Sequence, residues 1–348
     1  MAVVAVNAMP PKKKDGKKKK EAEAGPDPKQ VISAFNKDYA AQNAALGIEP
    51  LQLHTGDGSE VFRKLLVHPQ EGKVPLSPLH AKALAGALTN YAYLKNLALL
   101  RANLQDEGTS SMAIFLGGNR TIVSVELTDC GIGERGCKAL GDAMERNTVL
   151  TRLCLDFNQI GNRGAELLGS MSLNRASALQ SLELSFCGLT AGAGPLLASG
   201  VLRCPTLRNL ELKGNALGAE GVLAVLGGVR AQPGLFHLGL ADTGISREPE
   251  VQAALLELFA TVPLCCEYDL MGNMLGDQFC YQVLQLTRVH EHLIDVRVCA
   301  TSAVDPLLYK QLLDQCAANK KVWTKNNKKK KGGKKGGGGK KKGGKKKK

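Results

Sequence analysis

The sequence lacks every apolar stretch of about 20 residues that a membrane-spanning helix would require. Its first nine residues are apolar but few, and a Lys-rich run follows them, whereas a secretory signal carries its basic residues first. The Asn119-Arg120-Thr121 sequon therefore has no secretory route to a glycan. These absences predict a cytoplasmic protein with no transmembrane span.

The ten cysteines form no C-x-x-C pair and no Cys/His spacing of the kind that holds zinc. Cysteines scattered in this way are expected to be small buried residues in a reducing compartment. The sequence therefore predicts no disulfide framework and no metal site, and it names no cofactor.

Signals of catalysis are also lacking. The Gly-rich segment 188–195 has no Lys-Ser/Thr after it, so a phosphate-binding loop is not expected. The six histidines are dispersed, and the acidic residues follow a repeating pattern instead of forming a paired constellation. We therefore predict no catalytic residues, no small-molecule substrate and no enzymatic activity.

What the sequence does contain is a repeat of about 28 residues that fits L-x-x-L-x-L-x-x-[N/C]-x-L. Successive repeats begin 28, 28, 29, 28, 28, 30 and 28 residues apart. The L-x-L core predicts a short parallel strand, and the second half of each unit has helical spacing. The fold class predicted is an α/β solenoid, with strands on the concave face and helices on the convex face. The eight repeats begin at Leu94, Ile122, Leu150, Leu179, Leu207, Leu235, Cys265 and, in a decayed form, Leu293.

The unit length and the segment Leu104–Gly108 (LQDEG) resemble the ribonuclease-inhibitor type of leucine-rich repeat. That resemblance implies a horseshoe fold and a binding role. Its members include inhibitors, GTPase activators, actin-capping proteins and ciliary scaffolds, so the fold does not determine the function.

Charge and composition divide the chain into four segments. Residues 1–30 form a predicted basic disordered tail, and 31–93 a helix followed by a degenerate capping repeat. The repeats and a capping helix over 306–319 occupy 94–321, and a Lys/Gly-rich disordered tail is predicted over 322–348. The net charge is +14; removing +16 for residues 320–348 and +4 for residues 1–30 leaves −6 between them.

Acidic side chains are expected to collect on the concave face, where the residue between the two strand leucines points outward. With neighbouring outward positions this face holds nine acids and four bases. Glu183 and Glu211 are expected to stack as like charges with no cation between them. Phe157 and Phe186 occupy equivalent places on adjacent strands and are candidate anchors for a partner. The predicted partner-binding residues are Arg101, Glu126, Asp129, Asp156, Phe157, Glu183, Phe186, Glu211, Lys213 and Asp269.

The Lys runs predict salt-sensitive attraction to a polyanion, such as the acidic tails of tubulin, RNA or an anionic lipid surface. They contain no interleaved aromatics for base stacking. Folding back onto the acidic face is the alternative, and Trp323 at the root of the tail is expected to pack on the last helix. The predicted polyanion-binding residues are Lys328, Lys329, Lys330, Lys331, Lys340, Lys341 and Lys342.

Together these features predict a non-enzymatic interaction scaffold. The segment with Phe35, Tyr39 and 47–50 resembles the segment that precedes the repeats in some ciliary and nucleolar leucine-rich-repeat proteins. The basic run 9–20 resembles the N-termini of many ciliary and flagellar proteins, and together the two favour a microtubule or axonemal setting. Two alternatives stay open: a nucleolar RNA-associated protein, and a GTPase activator similar to the Ran activator. Members of that last family typically end in an acidic extension, whereas this chain ends in a basic one.

Overall fold

The computed structural model describes residues 27–55, 59–69, 75–171, 178–231, 234–298 and 304–332. In these ranges nine parallel strands form one open sheet whose spatial order is their order in the chain. The strands are β1 Lys64–Val67, β2 Asn96–Leu100, β3 Ser124–Thr128, β4 Arg152–Cys154, β5 Ser181–Glu183, β6 Asn209–Glu211, β7 His237–Gly239, β8 Glu267–Leu270 and β9 Asp295–Val298.

A helix precedes β1 and one follows each strand, so each repeat contributes one strand and one helix. This confirms the predicted leucine-rich-repeat solenoid. The helices are α1 Pro28–Ala45, α2 Pro78–Thr89, α3 Gln105–Gly118, α4 Glu134–Arg146, α5 Gly161–Met171, α6 Ala193–Arg203, α7 Gly218–Ala231, α8 Pro249–Thr261, α9 Gly276–Val289 and α10 Pro306–Gly332.

The repeat pattern gives the register of the sheet correctly. Leu153, Leu182, Leu210 and Leu238 are direct partners on successive strands, and all four are buried. The outward residues between the strand leucines form the predicted row on the opposite face: Ala98, Glu126, Cys154, Glu183, Glu211, Gly239, Asp269 and Arg297.

Buried asparagines hold the turns after the strands. The Asn158 side-chain oxygen accepts the backbone N–H groups of Cys130 (2.9 Å) and Ile132 (3.0 Å). Its amide nitrogen donates to the carbonyls of Leu127 and Leu155, both at 2.7 Å. One amide therefore satisfies backbone groups of two repeats, as a buried turn requires. Where Cys187 stands instead, its thiol only donates to carbonyls, at 3.3 Å and 3.4 Å.

The glycine that recurs near the start of several repeat helices is needed for close packing. A Cβ at Gly164 would lie 2.6 Å from Ile160 Cγ2 and 3.1 Å from the sulfur of Cys137 in the preceding repeat. A Cβ at Gly221 would lie 3.0 Å from the Cα of Ala191. Stacking of neighbouring repeats leaves no room for a side chain at these positions.

The two ends of the solenoid are closed by helices. At the N-terminal end, α1 buries Phe35 and Tyr39, and Phe35 packs edge-on against Phe62 and Tyr91. At the C-terminal end, α10 continues past the predicted end at 319, so residues 322–332 of the predicted tail are helical. The predictions for residues 1–26 and 333–348 lie outside the described residues.

All nine cysteines within the described ranges are buried. Burial raises the pKa of the Cys130 thiol to about 12, against the opposing effect of a backbone hydrogen bond at Ala102. A thiol with so high a pKa is a packing residue and a poor nucleophile. This agrees with the structural role predicted for the cysteines.

Candidate functional site

The concave face carries an ion cluster on β3, β4 and β5. Arg152 donates to both carboxylate oxygens of Glu183, at 2.7 Å and 2.6 Å, and also contacts Glu126 at 3.3 Å. Desolvation opposes the charge on Arg152, but its hydrogen bonds to Glu183 raise the guanidinium pKa above the ordinary value. The arginine is therefore a fixed cation between two predicted site carboxylates.

A second cluster lies on β6, β7 and β8. His237 Nε2 is 3.2 Å from Glu211, and its Nδ1 is 3.6 Å from Glu267. Burial acts to lower the pKa of His237, but the contacts with Glu211 and Glu267 outweigh it and raise the pKa to about 9. The imidazole is therefore protonated at neutral pH and removes one unit of the negative charge counted for this face.

These contacts correct one prediction. Glu183 and Glu211 are direct cross-strand partners, as expected. Among the described contacts no cation lies between the two carboxylates, which also agrees with the prediction. The correction is that each carboxylate has a cation on its outer side, Arg152 on β4 for Glu183 and His237 on β7 for Glu211, so a partner is not needed to supply one. The reason is that both cations project from the first residue of a neighbouring strand, which brings them diagonally beside the row of carboxylates.

Phe157 and Phe186 form an exposed aromatic stack on the concave face. The rings of Phe157 and Phe186 lie 4.7 Å apart at an interplanar angle of 12°. Their residues are 51% and 36% exposed, respectively, large fractions for stacked phenylalanines. The far side of Phe186 covers Gly214, where a Cβ would overlap the ring. Lys213 Nζ lies 5.9 Å from the centre of the same ring, a cation–π distance. The free face of the stack therefore belongs to Phe157.

Both phenylalanines occupy a strained backbone position. Phe157 has φ +61° and Phe186 has φ +55°, in the left-handed region that glycine tolerates best. The fifth and seventh repeats place Gly214 and Gly272 at the same position. Because bulky residues there cost about 1–3 kcal/mol, keeping two aromatics needs a compensating benefit. Strain of this kind is concentrated at functional sites.

The other predicted partner-binding residues lie either at the left-handed position after a strand, as the phenylalanines do, or on the strands themselves. Arg101 and Asp129 occupy the left-handed position in the first two repeats and are exposed. Asp156 is half-buried; desolvation raises its pKa, although its Oδ1 accepts the Ser185 N–H at 2.7 Å. Asp269 lies further along the central row, 3.9 Å from Arg297. The phenylalanine stack therefore has acidic neighbours on the side of the second repeat.

One group of potential metal ligands lies within this surface. The donor atoms of Cys154, Asp156 and Glu183 are within 4.8 Å of one another. Each already has a protein partner: Thr128 for the thiol, the Ser185 N–H for Asp156 and Arg152 for Glu183. These contacts account for the cluster as part of the ion network.

The basic C-terminal segment begins on α10. Lys320, Lys321, Lys325 and Lys328 lie together along one side of that helix with Ala317 and Thr324. Lys328 is exposed. The side chains of Lys329, Lys330 and Lys331, and the whole of Lys340, Lys341 and Lys342, lie outside what the structure describes. Their role as polyanion ligands stays a prediction.

Trp323 does not pack as predicted. It belongs to α10 itself, and its ring lies 5.8 Å from that of Phe236, the residue before β7. Because α10 continues past its predicted end, Trp323 lies beyond the part of the helix that caps the last repeat and contacts Phe236 at the edge of the concave face.

Sequence reasoning missed His237 and Phe236. His237 holds the strand position that Arg152 holds three repeats earlier, and Glu267 follows it one strand later. That equivalence could have identified a cation in the acidic row. The contact of Phe236 with Trp323 had no signal in the repeat pattern, because it depends on the path of α10.

Comparisons with known proteins agree with the fold. Residues 118–141, 146–169 and 203–226 match the family described as Leucine Rich repeat. Ribonuclease inhibitor of Sus scrofa is 39% identical over 98 residues, which is 28% of this chain and 22% of the inhibitor. NACHT, LRR and PYD domains-containing protein 5 of Homo sapiens is 31% identical over 169 residues, 48% of this chain and 14% of that protein.

The repeats of this chain are therefore leucine-rich repeats similar to those of ribonuclease inhibitor. Its matches span less than a quarter of the length of these two relatives. A solved internalin from Listeria monocytogenes is 14% identical, with a TM-score of 0.40, over 81% of this chain and 95% of that one. Among the described residues, no helix combines the length and apolarity needed to cross a bilayer.

Proposed function

We propose that this protein is a non-enzymatic interaction scaffold that binds a protein partner on its concave face. The Phe157–Phe186 stack and the acidic rows beside it form the contact surface. In this proposal the aromatic rings supply the apolar anchor, and the carboxylates around them select a partner with basic side chains.

The observation that carries the proposal is the exposed aromatic stack at left-handed positions. Single exposed apolar residues are common on protein surfaces and need no explanation. Two stacked rings at left-handed positions do need an explanation, because glycine adopts this backbone conformation with less strain and folding alone would favour it there. Enclosure of the free Phe157 face by a partner provides a reason for keeping them.

The Lys-rich C-terminal segment is the second part of the proposal. The lysines that line one side of α10 form a basic stripe that leads into the remaining Lys runs. Such a surface attracts any polyanion through its charge. We favour the acidic tails of tubulin, with RNA as the alternative. A cytoplasmic, microtubule-associated or axonemal setting follows from that choice.

Site-specific photo-crosslinking tests the protein-binding surface. A photoreactive phenylalanine analogue is placed at Phe157 and, as the matched control, at Tyr281, which is 52% exposed on α9. After irradiation in cell extract, we expect a discrete adduct from the concave position and none of that mass from the helix position. The same adducts from both positions, or none from Phe157, would contradict the proposal.

Cosedimentation tests the basic segment. The chain is compared with a full-length variant in which the nine lysines of residues 334–348 are replaced by glutamine. We expect the variant to lose microtubule binding, and the binding of the unaltered chain to fall steeply as salt rises. Microtubule binding that is unaffected by the lysine replacement and by salt would show that the repeats, not the basic segment, make the contact. RNA in place of microtubules distinguishes the two polyanions.

A further inference from the structure

The last helix takes a path that the other repeat helices do not. Asn147, directly after α4, donates to the Leu116 carbonyl at 2.7 Å, and the chain then turns into β4. Asn319 plays the same part in the last unit, donating to the carbonyls of Thr287 and Leu293 at 2.8 Å and 3.0 Å. However, α10 does not end there and continues to Gly332.

The continuation leads toward the acidic rows. Lys320 lies 3.8 Å from Glu267 on β8 and 4.0 Å from Asp295 on β9. One helical turn later, Trp323 contacts Phe236, beside β7. The contacts therefore move down the sheet, from the eighth and seventh repeats to the sixth. Phe236 and Glu267 also line one concave depression together with Glu183, Glu211 and His237.

The remaining length of α10 is comparable with the distance from β7 to those carboxylates. Nine residues separate Trp323 from Gly332, and at about 1.5 Å per residue they extend roughly 13 Å. Glu211 and Glu183 lie on the first and second strands below β7, about 5 Å and 10 Å away. The Lys runs of 334–348 begin just beyond that point in the sequence.

We propose that the basic segment of this chain is an internal ligand for its own concave face. Residues 333–348, guided by α10, occupy the acidic depression around Glu183 and Glu211 until something displaces them. The inference rests on the proposed function only in treating this depression as a binding surface. The contacts of Lys320 and Trp323 are the first part of the internal interaction, and the charge of the segment is complementary to that of the face.

Coupling between the two proposed activities follows. A polyanion that takes up the lysines removes the internal ligand and exposes the acidic face. Binding of the polyanion and binding of a basic protein partner should therefore strengthen each other, by the reciprocity that linked equilibria require. A tethered segment competes at an effective concentration in the millimolar range, so its removal should have a large effect.

Zero-length cross-linking of the full chain tests the internal contact without any partner. A carbodiimide joins lysine amines to carboxylates that touch them, and the monomeric product is mapped by mass spectrometry. We expect bonds from the lysines of 334–348 to Glu183, Glu211 or Glu267, and their loss when heparin is added. Bonds found equally often at Glu145 and Glu250, which are exposed on α4 and α8, would overturn the proposal.

Competition provides the second measurement. A labelled peptide of residues 333–348 is titrated into the full chain and into the full-length variant whose nine tail lysines are glutamine. We expect the variant to bind the peptide at least about tenfold more tightly. Adding Glu183→Gln and Glu211→Gln to the variant should abolish that gain, whereas Glu145→Gln and Glu250→Gln should preserve it.

Equal peptide affinity for the unaltered chain and the tail variant would overturn the internal-ligand proposal. It would leave the proposed binding of an external partner untouched, because the photo-crosslinking experiment at Phe157 does not depend on the tail. Conversely, an internal contact without any external adduct would show that the depression serves only the protein's own tail.

Discussion

The two faces of the same strands differ in how uniform they are. The inward face repeats one solution: Leu182, Leu210 and Leu238 are stacked and buried in the same way. The outward face does not repeat in this way: its equivalent positions hold Cys154, then Glu183 and Glu211, then Gly239. Stacking requires the same shape from every unit, whereas the solvent-facing row is free to vary. The difference locates stability on one face and specificity on the other.

Breaking the inward face should have the largest effect. Leu210→Ala removes a fully buried strand leucine from a central repeat. We expect a loss of about 2–5 kcal/mol in the free energy of unfolding, because the cavity cannot collapse between two fixed neighbours. Chemical denaturation followed by circular dichroism measures it. A change below about 1 kcal/mol would contradict the packing described for the repeats.

The turn asparagines should rank next. Asn158→Ala leaves two buried N–H groups and two buried carbonyls in adjacent repeats without the hydrogen bonds that the amide supplies. We expect a loss of about 2–3 kcal/mol. Cys187→Ala is the matched control at the equivalent turn, where the thiol only donates to carbonyls, and it should cost less. Equal losses from the two changes would contradict the role assigned to the asparagine amide.

Charge changes on the outward face should affect stability far less. Glu183→Gln together with Glu211→Gln removes the anionic partners of Arg152 and His237. Since these groups are partly exposed, we expect a loss of about 1 kcal/mol or less. A stack of like charges without any compensating cation would instead lose nothing or gain slightly on neutralisation, and the two cations reverse that sign. Thermal melts of the double variant and of Glu145→Gln with Glu250→Gln decide between the two expectations.

The last comparison is the pH dependence that His237 contributes to stability. Its folded-state pKa is raised from 6.5 to about 9. Protonation therefore stabilises the fold fully below about pH 6.5, and that contribution is lost as the pH rises through about 9. Denaturation at pH 6 and pH 9.5 should show a smaller difference for His237→Gln than for the unaltered chain. An identical pH dependence would show that the imidazole is not held as a cation.

The same contrast explains what the sequence could predict. The leucine spacing defines the register of the sheet, because a slip of one residue would turn buried strand leucines such as Leu182 toward solvent. The outward row was correct for the same reason. The pairing of Arg152 with Glu183 and of His237 with Glu211 was not predicted, because it depends on diagonal contacts between strands that a one-dimensional pattern does not record. The path of α10 beyond Asn319 was missed because Lys-rich composition predicts a disordered tail, whereas Lys320 and Trp323 have tertiary contacts.

The most direct test of the aromatic stack as the binding surface is the partner affinity of the Phe157→Gly variant. Glycine is what the fifth and seventh repeats carry at this position, so relief of backbone strain should offset the lost ring contact and leave stability within about 1 kcal/mol. The dissociation constant for the protein captured at Phe157 should nevertheless rise by about tenfold or more, as loss of an interface anchor predicts. Tyr281→Ala, on the helical face, should leave the constant unchanged. An unaltered affinity for Phe157→Gly in a folded protein would contradict the claim that the aromatic stack is the binding surface.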